Sequence, residues 1–160
     1  MKRQHLGLDL DAAEPFDQVL PEGVTARTTE ANDREQLALL MLEAYRGTID
    51  YEGEEMPEAI AEVEGYFSGG ALLQNCSIVL MAADEMVSAC LVTAYRDSTI
   101  VGAVMTAPAF KRRGLGSAVT VESLIAIRED GHGYVHAFVT EGNTASERIF
   151  KRLGFDLLQD

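Results

Sequence analysis

The sequence predicts a mixed α/β domain built on one central sheet with helices on its faces. Three observations predict it. Strand-like and helix-like segments interleave in the order β-α-α-β-β-β-α-β-α-β, with no internal repeat, low-complexity tract or linker. The three consecutive strand-like runs in the middle are separated only by short polar turns, as in an antiparallel meander. And 160 residues, 47% of them hydrophobic and 24% charged, suit one domain with one core rather than a disordered chain.

Each element has a local reason. Residues 1 to 22 read as a polar lead-in that closes at "LPEG", leaving residues 23 to 160 as the domain. "VTART" (24–28) alternates weakly and reads as a first strand. In "EANDREQLALLMLEAY" the residues Leu37, Leu40, Met41, Ala44 and Tyr45 recur at helical spacing, with Asn32 or Asp33 at the cap. Pro57 opens a second helix, "PEAIAEVEGYF", with Ile60, Val63 and Phe67 inward, and "SGG" ends it. The meander follows as "SIVLMA" (77–82), "VSACLVTAY" (87–95) and "STIVGAVMT" (98–106). "LGSAVTVESLIAIRED" is a nearly all-apolar and therefore buried helix. "GYVHAFVT" is another strand. In "NTASERIFKRLGF" Thr144 and Glu147 have capping-box spacing, Ala145, Ile149 and Leu153 share a face, and Gly154 suits a left-handed stop. "FDLLQ" is a last strand.

Composition excludes some functions. The formal charge of −13, from 26 acidic and 13 basic residues, argues against a general nucleic-acid binder, which must neutralise phosphates. Aspartates interrupt the apolar residues near the N-terminus, so no signal peptide is read there, and no run approaches the length of a membrane-spanning helix. The expectation is a cytoplasmic protein with no membrane partner. Cys76 and Cys90 share no metal-ligand or redox spacing and read as small buried side chains. The histidines, His5, His132 and His136, are too scattered in sequence to suggest a metal site, so no metal is expected. His136 reads as a hydrogen-bonded structural histidine, and Met41, Met81, Met86 and Met105 as core filling.

The stretch "VMTAPAFKRRGLGSA" (104–118) carries chemistry. A strand ends near Thr106, and a helix begins near Leu115 or Gly116 behind Lys111, Arg112 and Arg113. The first amides of a helix lack internal partners and lie at the positive end of its dipole. Glycines let an oxyanion approach that backbone, and adjacent cations attract it. A phosphate cradle and a basic turn with a glycine helix start account for the composition equally well. Neither GxxxxGK[ST] nor GxGxxG is present.

The same stretch resembles motif A of the GNAT family of acyl-CoA-dependent N-acetyltransferases: a strand, a proline, an aromatic residue, then [QR]-x-x-G-x-[GA] leading into a helix. "VTEGNTASERIFKRLGF" resembles the family's later motif, N-x-x-A-x-x-x-[YF]-x-x-x-GF, with altered alanine spacing. The two occur in the family's order, separated by one helix and one strand, and the element order fits from about residue 23 to 160. The resemblance implies a mostly antiparallel sheet splayed between the strands ending at Thr106 and Thr140, with the pantetheine arm of acetyl-CoA in the gap. Backbone groups of Val104, Met105 and Thr106 would hold that arm, and amides from Arg112 through Arg113, Gly114, Leu115 and Gly116 to Ser117 the pyrophosphate. Asn143 would approach from the opposite side, and Phe150 would flank the thioester. It also implies an amine acceptor, small molecule or peptide, attacking the thioester directly, and it admits a homodimer. A non-catalytic acyl-CoA sensor or scaffold on the same fold is the alternative.

Two departures bear on chemistry. Lys111 replaces the usual Gln or Arg, keeping the charge without the planar fork. Phe150 occupies the position where many relatives place a general-acid tyrosine. A CoA thiol has an acidity of about 8.5, like cysteine, so thiolate departure does not demand that acid, whereas an alkylammonium with a pKa of about 10.4 must lose a proton before it attacks. Asp50 and Glu54 are the base candidates, with Glu52 and Glu55 beside them and Glu141 weaker. Each also fits a solvated surface role. Residues 50 to 64 carry seven carboxylates and no cation, which suits a cationic acceptor such as a polyamine or a basic amino-terminal segment.

Overall fold

The computed structural model describes residues 2–17 and 19–158. Its elements are β1 (Arg3–Asp9), β2 (Val24–Thr28), α1 (Arg34–Tyr45), α2 (Met56–Ser68), β3 (Ile78–Ala82), β4 (Glu85–Tyr95), β5 (Ser98–Thr106), α3 (Leu115–Glu129), β6 (Tyr134–Thr140), α4 (Thr144–Arg152) and β7 (Asp156–Leu157). The strands form one open sheet in the order β2-β3-β4-β5-β6-β1-β7. Every neighbouring pair is antiparallel except β5 and β6. The mixed, mostly antiparallel class is as expected. Among the described residues, no helix is long and apolar enough to cross a membrane.

The N-terminal segment is more than a lead-in. Arg3–Asp9 pairs with β6 along its whole length, Arg3 opposite Thr140 and Asp9 opposite Tyr134, and β7 adds to its outer edge at Leu6 and Gly7. Leu6, Leu8 and Leu10 are buried. Arg128 of α3 donates to the carbonyls of Leu10 and Ala13 and lies over the Phe16 ring, 5.7 Å from its centroid. The period-two leucines were a strand signal, hidden among flanking charges. Because β1 lies between β6 and the C-terminus, the expected strand "FDLLQ" pairs only at Asp156–Leu157.

Two apolar clusters sandwich the sheet. On one face, Leu115, Val119, Leu124 and Ile127 of α3 pack with Leu8, Leu80, Val92, Val101, Val135 and Val139. On the other, Leu37, Leu40 and Met41 of α1 and Val63 of α2 pack with Val79, Leu91, Ala103 and Met105. Ile60, expected inward, is 41% exposed: α2 turns Ala59 and Val63 to the core, with Tyr66 and Phe67 half-buried beside them. Of the cap candidates before α1, Asp33 holds the N-cap position, but its side chain makes no bond to the helix. Arg27 donates to both its oxygens at 2.8 and 2.9 Å, and the Glu30 amide donates at 2.7 Å. Burial pushes this carboxyl up, but these bonds and the guanidinium charge outweigh it and hold it below the usual range.

The sheet opens at one place. Leu91 pairs with Ala103 and Val92 with Val101, which leaves Gly102 as the extra residue of a β-bulge on β5. A Cβ on Gly102 would lie 3.2 Å from the Tyr66 hydroxyl, so a larger residue there would push that ring back by a few tenths of an ångström. β5 and β6 pair only at Ile100 with His136 and Val101 with Ala137. Beyond those pairs, at the bulge, the parallel strands part.

The burial of β1 makes a direct prediction. Leu8→Ala lowers the unfolding free energy by about 2–5 kcal/mol in urea titration, whereas Ile60→Ala shifts it by no more than about 0.5 kcal/mol. A lead-in segment would give the reverse order.

Candidate functional site

A cavity of about 840 Å³ fills the gap between β5 and β6. One end is built by the start of α3. After β5, a 3-10 turn (Pro108–Phe110) leads into a loop in which Arg112 and Gly114 both take left-handed backbone, φ 68° and 77°. Gly114 is the N-cap of α3 and supplies no side-chain bond. The first intrahelical bond in this turn runs from the Ala118 amide to the Gly114 carbonyl at 3.0 Å, so the amides of Leu115, Gly116 and Ser117 precede the helical ladder. These residues line the cavity with Val104, Met105, Thr106, Lys111, Arg112 and Gly114. An electropositive helix end, bare of side chains at Gly114 and Gly116, thus faces the cavity.

The three cations do not act as one patch. Lys111 lines the cavity but donates through Nζ to the Ala44 carbonyl at 3.0 Å, tying the loop to α1. Arg113 lies over the Phe110 ring, 5.2 Å from its centroid, and is absent from the cavity lining. Arg112 lies at the lining, on left-handed backbone.

α4 forms the facing wall. Its cap is Asn143, not the expected Thr144 and Glu147 pair: Asn143 Oδ1 accepts from the Ser146 amide at 3.2 Å, and Glu147 accepts from the Gly142 amide at 3.2 Å. Asn143 Nδ2 also donates to Asp50 Oδ2 at 2.8 Å, which closes the loop after α1 onto α4. Phe150 is buried at the cavity wall, edge-on to Phe155 at 5.0 Å. Of the face expected for this helix, Ile149 and Leu153 are half-buried and Ala145 is exposed on the cavity side.

The other end is acidic and aromatic. Asp50, Glu52, Glu54, Glu62, Tyr45 and Tyr66 line it with Arg3 from β1. Glu55 and Glu141 are not in the lining; Glu55 belongs to a capping box with Glu58 at the start of α2 and pairs with Arg46 at 3.6 Å. Asp50 is engaged by Asn143, and Glu54 Oε2 accepts the Glu52 amide at 3.0 Å. Sequence reasoning missed Glu62, Tyr66, Tyr45 and Arg3. Glu62 is exposed on its outer side, yet partial desolvation at the cavity wall, then the nearby Glu54 charge, raises its carboxyl; Arg3 opposes and Glu52 adds to it. Burial, then the Glu62 charge, pushes the Tyr66 phenol up to about 12, and burial raises Tyr45 as well. The available signal was the spacing of Glu62 and Tyr66, one helical turn apart on one face of α2.

The remaining reactive groups lie elsewhere. Burial pushes the Cys90 thiol up to about 12, and burial with Asp130 pushes Cys76 up to about 11, so neither supplies a thiolate nucleophile at neutral pH. His136 bonds to His5, Nδ1 to Nε2 at 2.9 Å, and stacks on it; burial, then the His5 charge, lowers its pKa.

A family model described as FR47-like protein matches residues 78–160, a span holding both glycine-bearing motifs. The chain belongs to the FR47-like family, of the GNAT acetyltransferase type. No curated protein matches it significantly in sequence. A GCN5-related N-acetyltransferase from Sphaerobacter thermophilus superposes on this GNAT domain with a TM-score of 0.77 at 19% identity, over 98% of this chain and 48% of that one. The chain therefore spans about half the length of that protein. The PaiA N-acetyltransferase from Thermoplasma acidophilum, in complex with coenzyme A, gives 0.68 at 14% identity, over 86% and 92% of the two chains. AAC(6')-Iy, in complex with the bisubstrate analogue CoA-S-monomethyl-acetylneamine, gives 0.64 at 15% identity, over 86% and 93%. These likenesses establish a shared fold.

The surroundings of Glu62 predict its titration. Its carboxyl carbon, followed by NMR, titrates above an ordinary glutamate; Arg3→Ala moves the midpoint further up, and Glu54→Gln moves it down. An unshifted midpoint that ignores both changes would contradict the described environment.

Proposed function

We propose that this GNAT domain is an N-acetyltransferase that moves an acetyl group from acetyl-CoA to a cationic amine by direct attack on the thioester. One observation carries the reading: a single cavity, running along the open β5–β6 seam, joins the α3 helix start at one end to the raised Glu62 carboxyl at the other. The amides of Leu115, Gly116 and Ser117 suit a pyrophosphate. The edge of β5 beyond Val101 carries backbone groups of Val104, Met105 and Thr106 with no β6 partner, which suits the amides of a pantetheine arm. Asn143, already fixed by its bond to Asp50, faces that arm from α4, and Phe150 closes the apolar wall.

In the reaction the amine nitrogen forms the C–N bond, the C–S bond breaks, and CoA leaves as the thiolate. The nitrogen proton passes to Glu62, directly or through water, and then to solvent. A raised carboxyl is the stronger base for this step. Asp50 and Glu54 then act less on the proton than on charge: with Glu52 and Glu62 they give the acceptor end one sign, which concentrates a cation. Tyr66, protonated at neutral pH, offers a hydrogen bond to the developing oxyanion or thiolate.

Two measurements test the reading. By calorimetry, Gly114→Val weakens CoA binding more than about tenfold, because a β-branched residue is strained at φ 77° and the turn that presents the amides is lost. Arg112→Ala costs less. Normal CoA affinity in a folded Gly114→Val variant removes the phosphate assignment.

In thiol-release assays, a polyamine is preferred over a matched neutral amine at low salt, and the preference shrinks as salt rises. Glu62→Gln lowers kcat by about 10²–10⁴-fold and removes the rise of rate with pH through the Glu62 pKa. CoA binding without thiol release across an amine panel would instead identify an acyl-CoA sensor.

A further inference from the structure

At the far end of α3 from the β5–β6 cavity, three residues from two separate stretches of sequence converge. Cys76 comes from the loop between α2 and β3, Asp130 caps the C-terminus of α3, and His132 lies two residues on. Cys76 Sγ lies 3.9 Å from Asp130 Oδ2, and His132 Nε2 lies 2.8 Å from the same oxygen. The three potential ligand atoms all fall within 4.8 Å of one another. Ligand atoms around a tetrahedral zinc ion are about 3.3–3.6 Å apart, as its bond lengths require, so side-chain adjustments alone bring these three onto one ion. We propose that the protein binds one divalent transition metal of the zinc class at Cys76, Asp130 and His132, through thiolate, carboxylate and imidazole, with water completing the shell.

Three further features favour a cation there. Thr99 Oγ1 lies 3.1 Å from His132 Nδ1, and Asn75 Nδ2 donates to Asp130 Oδ1 at 2.8 Å. A hydroxyl both donates and accepts, so Thr99 can take the Nδ1 proton's bond while Nε2 turns its lone pair to a metal, as ligating histidines require. Secondly, Asp130 sits at the negative end of the α3 dipole, an unfavourable place for a carboxylate that an adjacent cation would reverse. Thirdly, a cleft of about 440 Å³ beside His132 is lined by Asp9, Asp11 and Asp97, a negative approach for a cation. Cys76 is buried while Asp130 is exposed and His132 half-exposed, so the ion would enter from the Asp130 side. The mixed thiolate, imidazole and carboxylate set selects zinc or cobalt over magnesium or calcium. A bound ion would clamp α3 to the loop preceding β3 and to the entry of β6. That is about 20 Å from the helix start, given 1.5 Å rise per residue.

Cobalt titration of the metal-free full chain tests this. One equivalent of Co²⁺ produces the thiolate-to-cobalt charge-transfer band of a tetrahedral site, and Zn²⁺ bleaches it. Cys76→Ser and, independently, the more surface-placed His132→Gln abolish the band with far-UV circular dichroism unchanged, whereas Cys90→Ser retains it. Zn²⁺ at about a hundred times its Kd raises the unfolding midpoint of the native chain by about 5–10 °C, and that of His132→Gln by far less. The absence of a charge-transfer band in the native chain, or its persistence in either the Cys76→Ser or the His132→Gln variant, overturns the assignment.

Discussion

The constraint on which the rest of this structure depends is the early end of one strand pairing. β5 and β6 share only two residue pairs before they part. An unpaired strand edge inside a domain is costly unless something else satisfies its backbone groups, so the separation must be enforced from both sides. β4 holds β5 through a long antiparallel ladder with a bulge at Gly102, and β1 holds β6 along its full length. Each strand is also anchored to the α3 cluster, through Val101 on one side and Val135, Ala137 and Val139 on the other. Two well-held strands with nowhere left to meet leave a cavity, and the helix that follows β5 must start at its mouth.

That cavity is polar in the electrical sense. The chain carries a formal charge of −13, yet one end of the gap is the positive end of a helix with Lys111 and Arg112 beside it, and the other gathers Asp50, Glu52, Glu54 and Glu62. A cosubstrate with a phosphate-rich tail and a cationic acceptor would be drawn to opposite ends. The carboxylates are not equivalent. Glu55 is used by the start of α2, Glu64 pairs with Arg34 at 3.3 Å, and Asp50 is held by Asn143. The surroundings of Glu62 raise its pKa, because partial desolvation and neighbouring carboxylates disfavour its charge more than Arg3 favours it.

The glycine loop shows how few of the residues in a motif act directly. Its charge reads in sequence as a block of three cations, but in the fold Lys111 serves α1 and Arg113 covers Phe110. What remains at the cavity is Arg112 and backbone: a left-handed glycine and three leading amides. The same reordering reaches the histidines and cysteines, whose scatter in sequence hid the approach of Cys76, Asp130 and His132.

By itself the sequence determined the element order from Val24 onward, the antiparallel meander, the buried character of α3, and the two motifs by which the family is recognised. These depend on local patterns: period, turn residues, and glycine at a helix start, all readable within about fifteen residues. Tertiary structure alone decided that Leu6, Leu8 and Leu10 form a strand inside the sheet, because their partner β6 lies more than a hundred residues away. It alone decided that Ile60, expected inward beside Val63, faces outward while Ala59 joins Val63 in the core, since a helix with apolar residues on several sides is oriented by its neighbour. And it alone singled out Glu62 among seven carboxylates. A pKa is set by burial and by the charges that other elements bring near, and those distances exist only once the chain has folded.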